Sequence, residues 1–183
     1  MAEQEIIQEI LSGNINQYKL LVEKYQQMVF RTALGFVHSK EDAEDITQDV
    51  FIKAYTSLST FKGESEFSTW LYRITLNTAI NFSNKNKFKM LYDDIENALS
   101  GIFNRASDEK SIQQQLEANE NTRKIEKAIN SLKEKQKTAF ILSKYEELPQ
   151  KRIAEIMKTS EGAVEQLLQR AKSNLQKKLS HLK

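Results

Sequence analysis

Arg73, Asn77, Asn81 and Asn84 rise at near four-residue steps towards Lys85, Lys87 and Lys89, a spacing that aligns them along one side of an α-helix. Asparagine pairs bidentately with adenine, and arginine and lysine hold phosphate, so this stripe suits nucleic acid. Phe61, Phe67, Trp70 and Tyr72 concentrate aromatic surface beside the loop that precedes it, which also carries Lys62. Unpaired bases stack on such surfaces, although the spacing of Phe67 and Trp70 matches a buried stripe and makes them core residues first. A second set, Asp45, Gln48, Asp49 and Ile52, falls at i, i+3, i+4 and i+7. Two carboxylates beside an outward isoleucine read either as a docking face for a basic or amide-rich helical protein or as ordinary solvated helix.

Bond-making chemistry finds no support in the sequence. Cysteine is absent, which removes disulfides, thiolate nucleophiles and cysteine metal sites, and the two histidines, His38 and His181, stand far apart in the chain. No paired acid and base, glycine-rich phosphate loop or metal-ligand cluster occurs at usable spacing. No catalytic residue, metal site or cofactor is therefore expected. No apolar run approaches the roughly 20 residues that span a bilayer, and Met1 is followed by a polar, acidic start, so a soluble chain in the cytoplasm is expected.

The elements that must carry these stripes are helical. One proline and five glycines interrupt 183 residues, and apolar residues recur at helical rather than alternating spacing, so the chain is expected to be all-α. Tyr18, Leu21, Val22, Tyr25, Val29 and Ala33 form the apolar side of a first helix ending near Gly35 to His38. Ser39, with Asp42 three residues on, caps a second, whose inward stripe is Ala43, Ile46, Val50, Ala54 and Leu58. After a loop over Thr60 to Ser65, a third runs from about Glu66 to Asn84 on Phe67, Leu71, Ile74 and Thr78. Residues 85–122 lose the periodicity and are rich in polar residues, which reads as a flexible linker. Ile95, Leu99, Ile102 and Phe103 would allow a short helical turn within it, and a surface helix pair packed on the first domain is the alternative.

Helices resume at Arg123 and end in a pair, Pro149 to Met157 and Glu161 to about Leu179, separated by a turn at Lys158, Thr159 and Ser160. This is the spacing of a DNA-reading helix-turn-helix. Ile153, Ala154, Ile156 and Met157 face inward on the first helix, and Val164, Leu168, Ala171 and Leu175 on the second. Ser160 caps the second helix. Glu161, Glu165, Gln166, Gln169 and Arg170 are left outward for base edges, and Lys151, Arg152, Lys158 and Lys172 are placed for phosphates.

Charge divides along the same boundaries. Residues 1–84 carry 7 basic and 11 acidic side chains, residues 85–122 carry 5 and 7, and residues 123–183 carry 15 and 7, giving net charges of −4, −2 and +8. A basic C-terminal third suits a polyanion, while an acidic N-terminal domain suits a basic protein partner. Two small helical domains, 1–84 and 123–183, are thus expected.

The stretch from Glu41 to Phe51, Glu-Asp-Ala-Glu-Asp-Ile-Thr-Gln-Asp-Val-Phe, resembles the core-polymerase-binding helix of the sigma-70 family, specifically its extracytoplasmic-function (ECF) group. Phe67 to Ile74, Phe-Ser-Thr-Trp-Leu-Tyr-Arg-Ile, resembles that family's promoter-melting segment. Leu148 to Ala171 is similar to its second conserved domain, including Ile153-Ala154-Glu155-Ile156, Gly162, Val164, Leu168 and Arg170-Ala171. The resemblance spans residues 14–84 and 123–180. It implies that Asp45, Gln48 and Asp49, with Ile52 beside them, dock on the β′ coiled coil of core RNA polymerase, with the β subunit a further partner.

By the same likeness, the loop Thr60 to Ser65 and the helix from Phe67 to Lys85 would open the minus-ten element and hold a flipped base. The C-terminal pair would read the duplex minus-thirty-five element, and the linker would thread polymerase channels, with Asp93, Asp94 and Glu96 either mimicking nucleic-acid charge or simply solvated. An anti-sigma factor is a further partner that the resemblance implies; no obligate homo-oligomer is expected. The chain departs from the family at Leu76, Asn81 and Asn84, where relatives often carry Arg, Asp and Arg, and at Glu165 and Leu167 in place of Lys and Arg. The promoter sequence therefore does not carry over. Pro149 stands where a Ser cap is common and still allows a helix start. Two other readings compete: a one-component helix-turn-helix regulator binding duplex operator DNA, and a helical adaptor that binds proteins only.

Overall fold

A computed structural model describes the backbone of residues 2–100 and 113–180 and the side chains of residues 2–86 and 120–180. Among the described residues there are eight α-helices and no strand. In chain order they are α1 (Glu3–Leu11), α2 (Tyr18–Val37), α3 (Lys40–Ser57), α4 (Phe67–Ser100), α5 (Gln113–Asn130), α6 (Glu134–Lys144), α7 (Gln150–Met157) and α8 (Glu161–Leu179), with short 3-10 turns at Ile15–Gln17 and Leu58–Thr60.

The N-terminal helices form where capping and periodicity agree. Ser39 adopts extended backbone and its hydroxyl accepts from the Asp42 amide at 3.2 Å, which starts α3 at Lys40. Ala43, Ile46, Val50, Ala54 and Leu58 are all buried, so α3 turns one side to the core and the other outward. Phe67, Leu71 and Thr78 of α4 are buried with them, and Ile74 is half-buried. Leu76 is buried too, so at one of the positions where this chain lacks the family's charge it places an apolar side chain in the core.

Two elements differ from the expectation. α1 was not anticipated, yet Ile7 and Ile10 are buried and its Glu3 carboxylate takes hydrogen bonds from Lys24 at 2.7 Å and from Tyr25, pinning it to α2. The helix begun at Phe67 runs on to Ser100, and α5 is already helical from Gln113, so much of the stretch assigned to the linker is helical backbone. The side chains of Lys87, Lys89, Asp93, Asp94, Glu96, Ile95 and Leu99 lie outside the described residues, as do Ile102 and Phe103 altogether.

In the C-terminal part, α5 and α8 close a small core of Ala128, Ile129, Leu132, Ala171 and Leu175. The larger core is continuous across the chain: Ile141, Leu142, Ile153, Ile156 and Val164 join Phe36, Leu71 and Leu76 in one buried cluster. α6 packs on α2 and α7 on α4. None of the described helices is long and apolar enough to cross a membrane.

Candidate protein and nucleic-acid interfaces

On α3 the buried stripe forces Asp45, Gln48, Asp49 and Ile52 to the opposite side. All four are exposed, Ile52 at 63% of its full accessibility. Neither carboxylate has an ion-pair partner among the described residues, so this face is acidic, amide-bearing and free to engage a partner. An open groove lined by Phe30, Arg31, Thr47 and Gln48 runs beside it, between α2 and α3.

The start of α4 holds a compact aromatic group. Phe61, Phe67 and Trp70 meet with ring centroids 5.4 to 5.6 Å apart, Phe61 standing edge-on to Phe67. Phe67 is a core residue as anticipated, whereas Trp70 and Phe61 are only half-buried and keep ring surface in reach of a ligand. The loop turns at Gly63, whose φ of +72° lies in the left-handed region that favours glycine, and Lys62 projects from it. Between this loop and α1 lies a cavity of about 570 Å³ lined by Phe61, Lys62, Gln4 and Gln8. Along α4, Asn77, Asn81, Asn84 and Lys85 are exposed and follow Trp70 and Arg73 on one face.

Tyr72 does not join that face. It is buried on another side of α4, where its hydroxyl donates to Glu146 at 3.0 Å; burial first, then the Glu146 charge, push its phenol well above the usual tyrosine range. Arg73 bends towards α7 and donates to the backbone carbonyls of Glu155 at 2.8 Å and Ile156 at 3.2 Å.

The helix-turn-helix forms as spaced. Pro149 sits immediately before the first residue of α7, Lys158 turns the chain with a φ of +51°, and the Ser160 hydroxyl accepts from the Ala163 amide at 3.2 Å. Val164, Ala171 and Leu175 are buried, leaving Glu161, Glu165, Gln166, Gln169, Arg170 and Lys172 exposed. Lys151 is exposed as well. Arg152 is not: its side chain keeps 19% of its accessibility and donates to Glu66, to Ser68 at 2.6 Å and to Glu155 at 2.9 Å. Sequence reasoning missed Glu146, Lys137 and Gly35, whose partners lie 74 to 115 positions away. It also missed an apolar groove floored by Phe140, Leu168 and Leu175 between α6 and α8, which Glu165, Gln169 and Lys172 overlook.

Two separate polar helix faces and a capped helix-turn-helix are thus in place, and comparison with known proteins decides among the readings. Residues 21–88 match the family described as Sigma-70 region 2, and residues 122–175 match Sigma-70, region 4. The ECF RNA polymerase sigma-E factor of Haemophilus influenzae is 34% identical over 187 residues, covering 100% of this chain and 97% of that protein. The RNA polymerase sigma-H factor of Pseudomonas aeruginosa is 31% identical over 183 residues, covering 98% and 95%. This chain belongs to the sigma-70 family, in its ECF group.

As a sigma factor it directs transcription initiation, and its two domains are the family's regions 2 and 4. Among solved structures, CnrH in complex with the cytosolic domain of CnrY shares the fold at a TM-score of 0.69 and 21% identity, covering 99% of each chain. The sigma factor RpoE in complex with the anti-sigma factor NepR from Bartonella quintana shares it at 0.59 and 22%, covering 89% of this sigma factor and 96% of that chain.

Proposed function

We propose that this sigma factor works through three surfaces: Asp45, Gln48, Asp49 and Ile52 dock core RNA polymerase at its β′ coiled coil, α4 opens the minus-ten element, and α8 reads the duplex minus-thirty-five element. The chain then acts in the cytoplasm, where the polymerase is, and does no chemistry of its own. The division 1–84, 85–122 and 123–183 assigns docking and melting to the first domain, passage through the polymerase to the middle segment and duplex reading to the last.

The observation that carries this reading is the exposed row Asn77, Asn81, Asn84 and Lys85 continuing from the half-buried Trp70, with Phe61 against its ring. Amide groups suit base edges, the lysine suits phosphate, and the aromatic pair offers a platform for a base taken out of the stack. Unstacking costs a few kcal/mol, which such a platform offsets. An anti-sigma factor is a further partner, supported by the one held by the structurally similar RpoE.

Strand opening separates this reading from a duplex-binding regulator. With core polymerase and a target promoter, unpaired thymines near the minus-ten position should become reactive to permanganate only when the chain is present. Operator-like binding by the chain alone, with no reactive thymines when polymerase is added, would overturn it.

A further inference from the structure

A carboxylate is the wrong charge for a helix that the promoter reading turns towards DNA, and α8 carries two of them on its outward side. Beyond the Ser160 cap, the exposed positions fall in two rows at four-residue steps: Glu161, Glu165 and Gln169 in one, Gly162, Gln166 and Arg170 in the other. Buried Val164 and Ala171, with half-buried Leu167 and Leu168 packed on the core, hold both rows outward. The domain that carries these rows is basic, a net +8 over residues 123–183, yet Arg170 is the only cation in either row.

Glu161 has a reason within the fold. It sits in the first turn of α8, where open backbone amides and the helix dipole favour an anion. Glu165 lies a turn further on, where that effect has faded. It has no ion-pair partner among the described residues; its contact is with Gln169, whose side-chain amide donates to Oε1 at 3.4 Å. A pair so exposed contributes little to stability. It does fix the carboxylate along the row and leaves Oε2 open to a donor from outside the chain.

The major groove sorts the bases by what they offer such a carboxylate. Guanine presents N7 and O6 and thymine presents O4, all acceptors that repel it; adenine sets its N6 amino group beside the acceptor N7; cytosine presents its N4 amino group alone. We propose that Glu165 sets base specificity in the minus-thirty-five contact, accepting from a cytosine amino group and excluding guanine at that position. The proposal rests on the reading of α8 as the helix that reads the duplex. Exposed Lys151, Lys158 and Lys172 supply the attraction to phosphate. Glu165 adds a filter, because a carboxylate brought among phosphates is repelled unless a base amino group meets it.

Holoenzyme, assembled from core polymerase and the full chain, tests this on a promoter library randomised over the minus-thirty-five region. With the unaltered chain, one position of the selected element should favour cytosine over guanine by about tenfold or more. Glu165→Arg should turn that position to guanine, since a guanidinium matches O6 and N7, and Glu165→Gln should turn it to adenine, since an amide matches N6 and N7. Glu165 is exposed and has no buried contact to lose, so both variants should unfold at the temperature of the unaltered chain.

An element in which no position changes with residue 165, or in which the position that changes favours a base other than cytosine with the unaltered chain, overturns the proposal. Lys151→Ala separates this from a failure of the promoter reading. Having lost a phosphate contact, it should lower transcription by a similar factor on every template and leave base preferences as they were. A Lys151→Ala effect of that kind, with no change from either Glu165 variant, rejects the proposal alone. If all three variants leave yield and selected sequence unchanged, α8 does not face the duplex, and the promoter reading of that helix falls together with the proposal.

Discussion

His38 ends α2 in the left-handed region, with φ +58° and its amide bonded to the Leu34 carbonyl at 2.8 Å. Its ring is half-buried, with Nε2 shielded from solvent and unpartnered. Burial first, then the Lys137 charge, hold its pKa below the usual histidine range, against the opposing pull of Glu126 and Asn130. The unfolded chain takes up this proton at about pH 6.5, and the folded chain only at lower pH. The stability that goes with a neutral His38 is therefore complete above about pH 6.5 and declines as pH falls towards the lowered value. Thermal unfolding should shift to lower temperature over that interval. His38→Asn, which tolerates the left-handed backbone, should flatten that part of the profile; an unchanged profile would acquit His38. None of this was visible in the sequence, where His38 had only a distant second histidine for company. Its neighbours Glu126, Asn130 and Lys137 arrive from the other domain. Ser39 and Ser160, by contrast, were legible as caps because a cap and the amide it binds are three residues apart.

At the level of the helix, legibility followed from whether an element buries a regular stripe. α3 was readable to within a residue because Ser39 starts it and Ala43, Ile46, Val50 and Ala54 follow on one side. The proposed docking face is simply what that stripe leaves outward. Asp49→Lys reverses a charge there with no buried contact to break, so we expect unchanged thermal stability and core-polymerase affinity lowered by about tenfold or more, some 1.4 kcal/mol. Equal affinity in a direct binding measurement would reject α3 as the docking helix. α4 was readable up to Asn84 for the same reason and not beyond, because Lys85 to Lys89 alternate with Asn and Phe in no apolar rhythm while the backbone helix continues to Ser100. α1 was missed although Ile6, Ile7 and Ile10 carry helical spacing; it is short, and its anchors, Lys24 and Tyr25, belong to the next helix.

Across the whole molecule, two domains of opposite charge, a net −4 before residue 85 and +8 after residue 122, were legible in the sequence, but not how they meet. A basic domain of this kind suits a polyanion such as the proposed promoter DNA, and equally suits its own acidic neighbour. Short-range groups decide how the two domains pack, and Glu146, Arg73, Arg152 and Gly35 each meet a partner far away in sequence. As a sigma factor, this chain directs where RNA polymerase initiates. The direct measurement is transcription by core polymerase on a diverse promoter library with and without the chain. Discrete start sites that appear only with it, and share elements near minus ten and minus thirty-five, are the expected result. A library whose starts are the same with and without it would contradict the account.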